Sequence, residues 1–194
     1  MSNNYELIIA AERQFAREVT LGVIVQQPLS VWHYLLPGMF IIDFLRRTSA
    51  ISRYTKHFMF PRQLAIDAAQ HLLQGYEEAD VNSRLSADIE TWLNSLKLYS
   101  TRLAQAQQHA VDVLVAHYRK LLNANGDSHS ELIENAYSSR EAYEAHVCEL
   151  ASAEAEIDQA IIEKIGDNAK LKEKLQLEAQ QVELRRNRIL ENIF

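Results

Sequence analysis

The sequence predicts an all-α fold, a helical bundle built around a long antiparallel, coiled-coil-like hairpin. Glycine and proline, both disfavoured inside helices, number only five and three in 194 residues. The three prolines, Pro28, Pro37 and Pro61, all lie in the first third of the chain. Apolar residues recur at three- and four-residue steps over long stretches, with no competing strand-period alternation.

A first helix is expected from Asn4 to Thr20, where Leu7, Ile8, Ala11, Phe15 and Val19 share one face, with Gly22 ending it. An apolar run follows from Leu29 to Leu45, 17 residues whose strongly polar members are Ser30, His33 and Asp43. It is shorter than the ~20 residues a spanning helix needs, and Pro37-Gly38 interrupts it. Two readings fit this run. As a central bundle helix it is apolar on all sides because other helices surround it. As an interfacial anchor it offers Trp32 and Phe40 to a membrane, while Arg46, Arg47, Arg53, Lys56 and Arg62 face anionic head groups.

The charge map keeps both readings in play. Residues 46–62 carry five basic side chains and no acid, in a chain of net charge -6, whereas residues 120–165 carry three basic and ten acidic ones. An acidic chain without a recognised DNA- or RNA-binding motif is not expected to bind nucleic acid.

Pro61 is suited to open a further helix, since the first helical position needs no amide hydrogen. That helix, with Leu64, Ala65, Ala68, Leu72 and Leu73 on one side, should close at Gly75. Residues 1–79 thus form a set of shorter helices, and residues 80–194 the hairpin with a final helix.

In the second part a heptad frame places Leu85, Trp92, Tyr99, Ala106 and Val113 at one seam position and Ile89, Leu96, Leu103, Ala110 and His117 at the other. One helix to about Leu122 is expected. Gly126 marks the turn, and Ser128-His-Ser-Glu131 has capping-box spacing. The returning helix places Ile133, Arg140, Val147, Glu154 and Ile161 at one seam position and Ala136, Tyr143, Leu150, Ile157 and Lys164 at the other. Charged seam residues weaken a lone pair of helices, so other helices or solvent must meet them. After Gly166, Leu171, Leu175, Ala179, Val182, Ile189 and Ile193 mark a last helix, which either folds back or pairs with another subunit.

Motifs for chemistry are sparse. A ferritin-like di-metal site needs Glu-x-x-His, which is absent; His109 with Asp112 and His146 with Glu149 run in the opposite order and suit solvated helix faces. His117 falls on the seam and is expected to be buried. Cys148, the single cysteine, reads as an ordinary thiol on a helix flank. Aromatic residues crowd the first 60 positions, enough to line an apolar pocket, although packing is the more frequent role of such residues. Arg185, Arg186 and Arg188 suit a solvated helix end. No catalytic residue, metal ligand or cofactor is assigned.

The expected function is therefore non-catalytic: a helical interaction or scaffold protein that binds a protein partner or itself, with attachment to a membrane surface through residues 29–62 as an added role. A helical-bundle protein binding a metal or an apolar ligand, an enzyme included, is the second expectation. One cysteine excludes an intrachain disulfide, and the first residues lack a signal-peptide pattern, so the expected location is the cytoplasm, extending to the inner membrane surface.

Overall fold

A computed structural model of the protein describes residues 3–25 and 37–194, with side chains described at 3–24, 49 and 51–194. Among the described residues the protein is all-α, with seven helices and no strand: α1 (Asn3–Val25), α2 (Pro37–Leu73), α3 (Glu78–Ser95), α4 (Thr101–Asn123), α5 (His129–Ala136), α6 (Arg140–Ile165) and α7 (Ala169–Ile193). No helix of the described residues is long and apolar enough to cross a membrane.

Helix α4 sits centrally, packed against α2 on one side and α6 on the other, while α1 lies on α2 and meets α7. Its apolar face is buried along its length, with Leu103, Val111, Leu114, Tyr118 and Leu121 all buried. One buried cluster runs from Tyr5 and Ile8 through Ile66, Leu85 and Ile89 to Leu132, Leu150 and Leu190. The two parts predicted from sequence therefore share a core. A smaller cluster, Val19 and Val23 with Val182, joins α1 to α7. The last helix folds back onto the bundle.

The chain is cut more often than its apolar periodicity indicates. The helix expected from about residue 82 to Leu122 is two helices, because the segment Leu96–Ser100 turns. Lys97 takes a left-handed φ of 59°, and Ser100 caps α4 by accepting a hydrogen bond from the Leu103 amide at 3.2 Å. The returning helix is likewise divided into α5 and α6, since Ser139 accepts from the Ala142 amide and starts a new helix there. The expected capping box forms at α5, where Ser128 accepts from the Glu131 amide and Glu131 accepts from the Asp127 amide; Asn168, not singled out as a cap from the sequence, caps α7. Gly75 and Gly166, at φ of 88° and 102°, end α2 and α6.

Two expected breaks are absent. Pro61 lies inside α2 rather than at a helix start. The missing amide hydrogen costs the helix one bond, but packing of Phe58 against Phe15 and burial of Arg62 hold both flanks in place. Gly22 is interior to α1, and a Cβ at this position would run into the Gln181 side chain of α7. Glycine here serves a close helix approach rather than a stop.

Candidate functional site

Four helices contribute a buried ionic network to the interior. Arg62 of α2 points its Nε at Glu12 of α1, 3.0 Å away, and its Nη2 at Glu154 of α6, 3.5 Å away. Arg186 of α7 donates to the two oxygens of Glu154 at 2.7 and 2.8 Å, a bidentate pair. The two arginine side chains are only 7% and 9% exposed. Phe58 lies under the Arg62 guanidinium, 4.0 Å from ring centroid to Cζ, so the cation has an aromatic face as well as two carboxylates. Tyr118 is fully buried close by, and its hydroxyl has no hydrogen-bond partner among the described residues.

This network separates two cavities. On one side lies a polar cavity of about 430 Å³ reached by His117, His129, His146 and Tyr143, with Arg62 and Arg186 in its wall. His117 is buried as expected; its Nδ1 is 2.7 Å from the Tyr137 hydroxyl, and its ring stacks on His146 at 4.4 Å. Burial holds both imidazoles below their usual range, reinforced at His117 by His146 and at His146 by Arg186, which brings His146 down to about 4.

On the other side lies a larger cavity of about 580 Å³ between α2, α3, α4, α6 and α7, also walled by Arg62 and Arg186. Most of its lining is aliphatic, including Leu96, Leu103, Ala110, Leu150, Ile157 and Val182, with Tyr54, Phe58 and Trp92 adding rings. Its polar wall is narrow. Besides the arginines and Glu154 it holds Asp158 and Glu178, neither of which pairs with a basic group among the described residues. Burial, then the neighbouring Glu178 and Glu154, raises the Asp158 carboxyl to about 7. Glu178 is raised by burial and by Glu154, with Tyr54 and the charge of Arg62 acting in the opposite direction.

The residues singled out by sequence are dispersed. Trp32 lies outside the described residues; Phe40, Arg46 and Arg47 belong to α2, but their side chains are outside the described set. Arg53 and Lys56 are exposed on α2. Arg62 departs from that group, being buried because two carboxylates and an aromatic face replace its water. Arg186, expected at a solvated helix end, is also buried, its guanidinium held by both oxygens of Glu154. His109 pairs at the surface with Glu156, 3.1 Å away, while Asp112 accepts from Gln108; they do not converge. Among the described residues no group of three or more His, Cys, Asp or Glu could hold a metal ion. Cys148 is exposed.

Sequence reasoning missed Glu12, whose partner Arg62 comes from another helix, and Asp158 and Glu178, which α6 and α7 bring to one cavity wall. Searches of protein-family models, curated proteins and solved structures find no match to this chain.

Proposed function

We propose that the protein is a non-catalytic binding protein whose bundle holds an amphiphilic small molecule in the cavity between α2, α3, α4, α6 and α7. The observation that carries this is a cavity of about 580 Å³, inside the ~300–1,000 Å³ typical of small-molecule sites, with an aliphatic lining and one polar wall. An apolar body gains by leaving water for such a lining at about 25 cal/mol per Å² buried, and a polar wall at one side fixes its orientation. The test is a titration with the neutral fluorophore N-phenyl-1-naphthylamine. Saturable, blue-shifted emission is expected, and Ala151→Phe, which places a ring at the cavity rim on an exposed position, should weaken it by about tenfold, the effect of losing ~1.4 kcal/mol. No saturable binding, or binding indifferent to the added ring, would refute the reading.

Arg53 and Lys56, exposed on the acid-free stretch of α2, support a second reading, attachment to an anionic membrane surface. Each basic residue near such a surface contributes about 1 kcal/mol, screened by salt. Pelleting with anionic liposomes at low salt should then be reduced by Arg53→Glu/Lys56→Glu; equal pelleting with zwitterionic liposomes would count against it.

A further inference from the structure

The charge of the ligand is written in the polar wall of the larger cavity. The following inference rests on the small-molecule reading above and names the class of molecule. At the centre of the wall the charges are matched, two guanidiniums against Glu12 and Glu154, with four N–O distances between 2.7 and 3.5 Å. An incoming anion would have to displace one of these carboxylates, and the displaced carboxylate would then lack a counter-charge in a buried setting. The arginines are thus satisfied and do not form an anion site.

Beyond the matched set, the wall is acidic. Asp158 lies one helical turn beyond Glu154 on α6, and Glu178 faces it from α7; Glu183 adds a carboxylate at the exposed rim. His57, also exposed at the rim, is the remaining titratable base among the described lining residues. Neither Asp158 nor Glu178 is paired with a basic group among the described residues, and both are partly withdrawn from water. A carboxyl partly withdrawn from water and without an ion-pair partner holds its proton more tightly; burial and neighbouring carboxylates raise both groups, offset in part at Glu178 by Tyr54 and by the charge of Arg62.

The aromatic residues point the same way. Tyr54 stacks on Phe58 at 6.3 Å, and Trp92 stacks on Phe60 at 4.7 Å. Tyr54, Phe58 and Trp92 all line this cavity, and ring faces attract ammonium groups electrostatically. Phe58 already holds a guanidinium in this manner. The cavity thus combines an aliphatic lining, unpaired carboxyls and aromatic faces, a set complementary to an organic cation with an apolar body.

We propose that the cavity between α2, α3, α4, α6 and α7 takes an apolar molecule carrying an ammonium group, with the ammonium at Asp158 and Glu178 and the apolar body against the aliphatic lining. A cation there supplies the counter-charge both carboxyls lack, so binding favours their ionised forms and releases protons near neutral pH.

The test compares three ten-carbon probes on the whole protein at about pH 8, where Asp158 is largely ionised, each below its micelle-forming concentration. Decyltrimethylammonium, 1-decanol and decanoate differ in charge and share a tail. The ammonium is expected to bind at least about tenfold more tightly than the other two, and Asp158→Asn/Glu178→Gln to remove that advantage while leaving decanol binding within about twofold. The double variant removes buried, unpaired carboxyls, so it is expected to fold; its far-UV helicity and urea midpoint confirm this. Equal binding of the three probes, or tightest binding of decanoate, overturns the cation assignment and leaves the apolar cavity standing. Selectivity that survives the double variant overturns the placement at Asp158 and Glu178. Failure of all three probes, decanol included, overturns both the assignment and the small-molecule reading.

Discussion

Glu154→Leu is expected to lower the folding free energy by about 3–5 kcal/mol, because it leaves two buried guanidiniums without their shared carboxylate. Arg62 and Arg186 are 7% and 9% exposed, so water, which reaches Glu154 itself at 31% exposure, replaces the lost partner only in part. Arg62 keeps Glu12 at 3.0 Å; Arg186 keeps no carboxylate among the described residues. Urea unfolding measures the effect, as a lower midpoint with an unchanged slope. A second substitution, Arg186→Met, should recover part of the loss, since it removes the stranded charge while keeping an unbranched apolar side chain. A loss below ~1 kcal/mol for Glu154→Leu, the size seen for surface ion pairs, would show the guanidiniums to be hydrated and would refute the network as a buried one.

The acid profile should reveal two opposed titrations. His146 accepts a proton near 6.5 when unfolded but only at about 4 when folded, so between those values the unfolded state holds more protons and stability rises with pH. His117, held low by burial, acts in the same sense. Asp158 behaves in reverse: it loses its proton near 3.8 when unfolded and at about 7 when folded, so stability falls as pH rises across that window, and Glu178 adds to the fall. The His146 and Asp158 titrations each amount to about 2–3 kcal/mol, at 1.36 kcal/mol per unit and with allowance for screening at both partly exposed groups. The wild-type profile between pH 4 and 7 is therefore shallow. Asp158→Asn should make it climb with pH, and His146→Phe should make it descend. Parallel profiles for the two variants would contradict this assignment.

The features legible in the sequence were those written in local chemistry. Ser128 with Glu131, Gly75 and Gly166 each act on residues within one turn, and each marks a helix end in the structure. The breaks at Leu96–Ser100 and Tyr137–Ser139 were hidden because the apolar period continues across them: Leu93 and Leu103 are both buried, as are Ile133 and Tyr143. Period alone reports which residues face inward, not whether the backbone turns between them. The serines at 100 and 139 carried the missing signal, as N-caps without a neighbouring glycine or proline. Glu154 was legible in part, as a seam charge that needed outside partners, and α2 and α7 supply them. Which basic residues would answer it was not legible, because Arg62 lies 92 positions away and Arg186 lies 32. The larger cavity draws on five helices, an arrangement with no signature in sequence spacing.

The contact between α1 and α7 sets an order of assembly. Val19 and Val23 share their cluster with Tyr54 and Phe58 of α2 and with Val182 of α7, and Gly22 faces Gln181 of α7. During synthesis this stretch of α1 therefore waits, its valines only partly covered by α2, while five helices are made before α7 emerges. Closing so long a span costs little in final stability, because loop entropy grows only slowly with length. Its burden falls on timing. The nascent chain carries an apolar surface that its own later residues must reach first, before another chain does.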